Sequence, residues 1–264
     1  MRPDILRAVI GREFAELVRN RLLLFTIIVP PALLTVAPLV VGTLVQGGER
    51  SLPESLLRQI IAQRPDWSSF SPRELAAAFA IQQFLIYFLI LPAYIPLAVA
   101  SFSIIGEKQS RSLEAVLATP IRTSELLAGK AVAALVPGLL AGWLTYVVFA
   151  TLARIQYGPN LVAVVSDPSW LAGVFLLGPA IGLLSVVAGI IVSSRVNDPR
   201  TAQQIGGVII VPIVALTILQ STGTIIVGAS GYAVAAIVVA AVAVAGLRLG
   251  VALFGRETIL TRWR

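Results

Sequence analysis

Residues 106–130 read GEKQSRSLEAVLATPIRTSELLAGK, the longest charged island between two apolar segments of the chain. Glu107-Lys108 closes one apolar run and Leu126 opens the next. Between them, residues 112–119 carry Leu113, Val116 and Leu117 at helical spacing as one short apolar face, and Pro120 breaks the pattern. Thr123 or Ser124 can cap the helix that follows. The spacing predicts a short amphipathic helix held in water and tightly joined to two long apolar helices.

Those flanking helices follow from composition. The 264-residue chain is 57% hydrophobic and 12% charged, with a mean hydropathy of +0.91, outside the range of soluble globular domains. A hydrocarbon core of about 30 Å asks for about 20 mostly apolar residues per helix. Only helices and closed barrels satisfy their backbone groups there. Six such runs occur, at 22–45, 75–105, 126–152, 170–193, 205–220 and 232–254. They are continuous and lack the alternation of a membrane β-barrel. The expected fold is an all-α polytopic membrane protein of one domain, 1–264, with six spans behind an amphipathic N-terminal helix. The run after the charged N-terminus is too long for a signal-peptide core and reads as a retained anchor.

Basic residues orient the bundle. With both termini and the loops after spans two and four on one side, that side holds 15 of the 20 Lys and Arg residues. The positive-inside rule places it in the cytoplasm and the protein in the plasma membrane. The pI near 10.5 is then a consequence of topology and of anionic lipid, so no nucleic-acid partner is expected.

Residues 1–21 show Leu6, Ile10, Phe14 and Leu17 at helical spacing among arginines. This pattern fits a helix lying at the membrane interface, or an extension whose apolar face packs on the rest of the protein. The 46–74 segment is long for a loop. It holds a possible capping box at Ser51 and Glu54, apolar positions Leu56, Leu57, Ile60 and Ile61, and a second box at Ser71 and Glu74 with Pro72 between. It reads as an extracytoplasmic cap or gate, or as a passive anchor.

Gln82 and Gln83 stand out within span two, followed by Pro92 and Pro96. The amides line a translocation path or bind helices together. Small residues four apart at Gly138/Gly142, Gly178/Gly182 and Gly246/Gly250 predict close helix packing. No ionisable residue falls near mid-span, and Lys130 and Arg248 sit near span ends where their stems reach water. With no His, no Cys and no phosphate-binding glycine loop, the sequence predicts no catalytic residue, no metal and no cofactor on this chain.

The island resembles the segment after span two in permease subunits of ABC-2 type (type 2 ABC) exporters. The resemblance rests on Glu107-Lys108, Arg111-Ser112-Leu113-Glu114, Val116-Leu117, Thr119-Pro120 and Gly129-Lys130. Arg111-Ser112 departs from it, standing where the family has Gly-Thr. Arg19-Asn20-Arg21, the loop from Ser193-Ser194-Arg195 to Gln203-Gln204, and Arg256-Glu257 extend the likeness over essentially the whole chain.

The resemblance implies a dimer of six-helix permeases, each docked on a separate cytoplasmic ABC ATPase that binds ATP and Mg. In that picture 106–125 is the coupling segment and 1–21 an elbow helix. Contact with the ATPase falls to Glu107, Arg111, Ser112, Leu113, Glu114, Leu117, Thr119, Pro120 and Arg122, with Arg195, Asp198 and Arg200 as a second contact. The expected function is the transmembrane subunit of an ATP-driven exporter. The alternative is a membrane scaffold or assembly factor that moves no cargo.

Overall fold

Span two is the pillar of the bundle: 78% of its most apolar stretch is buried, against 17–18% for spans one, five and six. The computed structural model describes residues 2–48, 53–110, 121, 123–222 and 225–253. The chain opens with α1 (Pro3–Arg19), span one (α2, Arg21–Gly47) and α3 (Glu54–Gln63). Span two is α4 (Pro72–Phe88) followed by α5 (Ile90–Gln109), and span three is α6 (Thr123–Gln156). Then come α7 (Pro159–Val165), α8 (Pro168–Ala172) and span four (α9, Gly178–Arg195). Span five is α10 (Pro199–Gly206) with α11 (Ile210–Ser221), and span six is α12 (Ala229–Leu253). All six expected spans are present, and among the described residues no strand occurs.

Local chemistry sets the ends of these elements. Asn20 turns α1 into span one: its side chain accepts the amides of Leu22 and Leu23 at 3.1 and 3.2 Å. Ser71 and Glu74 form the expected reciprocal capping box, with Pro72 at the first helical position. α3 starts at Glu54 behind Pro53, and Ser51, read as its cap, lies outside the described residues. Asp198 caps α10 through the Thr201 amide at 2.8 Å, so span five begins at Pro199, earlier than its apolar run.

Span two breaks at Leu89, three residues ahead of Pro92. A proline lacks an amide hydrogen and its ring crowds the carbonyl four residues back, here that of Phe88. Glycines on the facing helices leave room for the proline rings. A Cβ on Gly138 would lie 2.5 Å from the Pro96 ring, and one on Gly182 would lie 2.8 Å from Leu135 and 3.4 Å from the Pro92 carbonyl oxygen. Two of the three small-residue pairs thus pack inside one chain with prolines as the knobs, and Gly246 of the third meets span four, where a Cβ would lie 2.9 Å from Val187 Cγ1.

Span four departs from the sequence reading, which began it at residue 170. Its polypeptide enters at Pro159, where α7 buries Leu161, Val164 and Val165, and a wide turn at Gly173–Leu177 precedes α9. The polar residues Ser166 and Asp167 interrupt the apolar run, which hid α7. Trp170 anchors this region, fully buried among Phe88, Phe149 and Tyr146, with ring centroids 5.4, 5.6 and 6.1 Å away. Its indole donates to Gln82 Oε1 at 2.9 Å.

The bundle end away from α1 is covered by residues 53–71. Ile60 and Trp67 are buried, and Trp67 stacks on Phe70. Arg64 lies 4.6 Å over the Trp67 ring, pairs with Asp66 at 2.8 Å and reaches Asp167 at 2.6 Å, tying the cap to the entry of span four. The hydrogen bond from Arg64 holds the Asp66 carboxyl below its ordinary value.

Two outcomes follow from these contacts. Gly138→Val will cost about 1–3 kcal/mol of stability through overpacking, whereas Gly11→Ala, inside α1 with open space around it, will stabilise by about 0.5–1 kcal/mol. Thermal unfolding in detergent compares the two. Because the Asp66 pKa is lowered in the folded state, its stabilisation of the cap is present above the ordinary carboxylate range and is lost as pH falls through the lowered value. The protection factors of residues 54–70 in hydrogen exchange, taken relative to the intrinsic amide rate at each pH, will therefore fall in acid, and Asp66→Asn will remove part of that pH dependence.

Candidate functional site: a buried ion-pair cluster beside the charged island

Gly129 has no side chain where α1 crosses span three, and a Cβ there would lie 2.6 Å from Val9 Cγ1 and 3.6 Å from Leu6. The apolar stripe of α1 accordingly packs on span three, the second of the two readings its sequence allowed. Glu13 lies on that same stripe, three residues after Ile10 and four before Leu17, and the close approach brings it to Lys130.

Lys130 is 3% exposed, Glu107 4% and Glu13 7%. The ammonium donates to Glu13 Oε1 at 2.6 Å and to Ser103 Oγ at 2.6 Å, and it lies 3.0 Å from Glu107 Oε2. Ser103 passes its own hydrogen to Glu13 Oε2 at 2.6 Å. Arg12 reaches Glu107 Oε1 at 3.2 Å and donates to Glu16 at 3.0 Å. Glu107 meets both cations at ion-pair distance but off the hydrogen-bonding direction. Glu13 and Glu107 balance the charges of Lys130 and Arg12, and the exposed Glu16 adds a third carboxylate on the outer side of Arg12. Burial works against the charged Arg12, but Glu16 and Glu107 outweigh it and raise its pKa above the usual arginine value.

The same end of the bundle is clamped at two further points. Arg2 holds the buried Glu125 through its amide and its guanidinium, at 3.0 and 3.1 Å. Lys108 donates to the carbonyls of Ser193, Ser194 and Val196 at 3.5, 3.3 and 3.0 Å, the end of span four where the helix dipole favours a cation. Gln109 adds a bond to the Asn197 carbonyl at 3.0 Å. Both flanks of the 111–122 segment are therefore fastened, one to α1 and to the turn after span four, the other to α1.

The residues singled out in the sequence divide as follows. Arg111, Ser112, Leu113, Glu114, Leu117, Thr119, Pro120 and Arg122 lie outside the described residues. Glu107 turns its carboxylate inward onto Lys130. Arg195, Asp198 and Arg200 are exposed on the turn that Lys108 and Gln109 hold, which sets the second group beside a flank of the first. The Asp198 carboxyl lies below its ordinary value because it accepts the Thr201 amide. Gln82 is buried against Trp170, and Gln83 donates to the Phe79 carbonyl of its own helix at 3.3 Å. Among the described residues, Gln82 Nε2 and Gln83 Oε1 have no partner. Arg248 is exposed, as its position near a span end suggested. Lys130 is the correction: its ammonium does not reach for water but is enclosed by two acids and a serine, because Gly129 lets α1 close over it.

The family model described as ABC-2 family transporter protein matches residues 55–237, more than two thirds of the chain and all of spans two to five. The chain belongs to the ABC-2 family. It is accordingly a multi-pass membrane subunit of the transport machinery that this family forms. No curated protein matches the chain. Within this ABC-2 protein, Glu107 and Lys130 lie inside the matched region and Glu13 outside it, so the cluster joins the family's helices to the N-terminal helix.

Lys130→Met will strand two buried carboxylates and cost about 3–5 kcal/mol, the usual loss when one partner of a buried pair is removed. Lys130→Met combined with Glu107→Gln will cost less than the sum of the single changes, read from thermal unfolding in detergent. Strict additivity would show that the two side chains are not energetically coupled.

Proposed function

We propose that this protein is the membrane-spanning permease of an ATP-driven exporter, working with a separate cytoplasmic ABC ATPase. Both termini face the cytoplasm, the side to which the basic residues are biased, and the membrane is the plasma membrane. The ATPase binds ATP and Mg, and it docks on the 111–122 segment together with the exposed Arg195, Asp198 and Arg200 of the neighbouring turn. A second permease copy completes the complex. α1 then acts as the elbow helix and residues 53–71 as an extracytoplasmic cap.

The observation that carries this reading, beside family membership, is the way both flanks of the segment are fastened. A push on residues 111–122 acts on Glu107 and Lys108 at one end and on Glu125 and Lys130 at the other. Through them it acts on α1, spans two and three, and the end of span four. Closure of the ATPases would move these elements as a unit and shift the permease between two conformations of different cargo affinity. Gln82 and Gln83, with amide atoms still unpartnered, are the polar groups assigned to the translocation path.

Purification in mild detergent tests the partner. A cytoplasmic ABC ATPase recovered in stoichiometric amount, and lost on changing residues 112–120, supports the reading. Recovery with membrane or envelope proteins alone overturns it. Leu113→Asp with Leu117→Asp will abolish ATP-dependent transport in vesicles while the permease stays folded; unchanged transport would remove the coupling role of the segment.

A further inference from the structure

The end of α1 and the facing sides of spans one and three line an open apolar groove of about 520 Å³. Phe14 stands at one end, Leu24 and Ile28 form one wall, and Pro137, Leu144 and Val148 the other. The groove asks nothing polar of an occupant. Its two threonines are satisfied within their own helices, Thr35 bonding the Pro31 carbonyl at 3.0 Å and Thr145 the Ala141 carbonyl at 2.6 Å.

Its length is informative. At about 1.5 Å per residue, the lining residues 24–35 of span one and 137–148 of span three each cover roughly 16 Å. That is about half of a hydrocarbon core of roughly 30 Å, the depth of a single leaflet. At the corner where the groove begins, Arg19 and Arg21 flank Asn20, both exposed. Among the described residues neither has a carboxylate partner, whereas Arg12, two helical turns before Arg19, is paired with Glu16 and Glu107. The geometry points to a site for one anionic phospholipid of the leaflet on the α1 side, its headgroup phosphate at Arg19 and Arg21 and one acyl chain in the groove.

Lipid chemistry supplies both halves of this match, since phosphate suits guanidinium groups and a hydrocarbon tail suits a wall without free polar atoms. The site depends neither on the ATPase nor on transport, so its test is separate from that of the proposed function. The full-length protein would be reconstituted into vesicles of equal phosphatidylglycerol and phosphatidylcholine, released, and its retained lipids weighed by intact-complex mass spectrometry. One retained phosphatidylglycerol per chain is expected. Arg19→Gln with Arg21→Gln will lower the preference for phosphatidylglycerol by about fivefold per arginine, without loss of thermal stability. Ala32→Trp, which fills the groove, will displace the lipid while leaving the arginines in place. Retention of equal phosphatidylglycerol by all three proteins would overturn the assignment. So would disulfide formation between two chains carrying Leu144→Cys, because the protein has no cysteine of its own and such a bond would show a second copy covering the groove.

Discussion

A single ammonium group enclosed by two carboxylates organises one end of this protein. Lys130 alone in that position would carry the full desolvation cost of a buried charge, and either acid alone would do the same. Together, with Ser103 and Arg12 completing the set, they form a neutral unit that is stable only when α1, span two and span three are all in register. The cluster therefore specifies an arrangement more than it adds stability. Without it α1 would be an amphipathic helix with a choice of apolar surfaces; with it, α1 has one seat.

The rest of the bundle is arranged around span two by shape rather than charge. Pro92 and Pro96 widen one side of that helix, and Gly138, Gly142, Gly178 and Gly182 on spans three and four accept the extra width. Trp170 and its aromatic neighbours close the other half of the core, with Gln82 satisfying the indole. Spans one, five and six remain largely uncovered, each presenting branched aliphatic residues outward, as helices in contact with lipid or with another subunit must.

Much of this was legible from residue order. Long apolar runs located all six spans, Ser71-Pro72-Arg73-Glu74 announced the start of span two, and the paired glycines announced close packing. Two of the features that escaped depend on partners far apart in the chain. Glu13 looked like one more polar residue on a surface helix, although its place between Ile10 and Leu17 on the apolar stripe was the available signal. Lys130 looked like a snorkelling residue because its neighbours in sequence are apolar and its acids are not. α7 escaped because Ser166 and Asp167 interrupt the hydrophobic run that would otherwise have revealed it, while Asp167 is spent on Arg64.

The distance along the chain between Glu13 and Lys130, 117 residues, also sets a schedule. At about 5–20 residues per second, roughly 6–23 s of synthesis separate the emergence of the two side chains. Throughout that interval α1 is finished but has no place to dock, and its acid must stay hydrated. Its seat is built only when span three has been made and Gly129 offers its bare backbone. α1 thus waits until about half of the chain has been made before it can be positioned, and a ribosome stalled before residue 130 would display it still undocked.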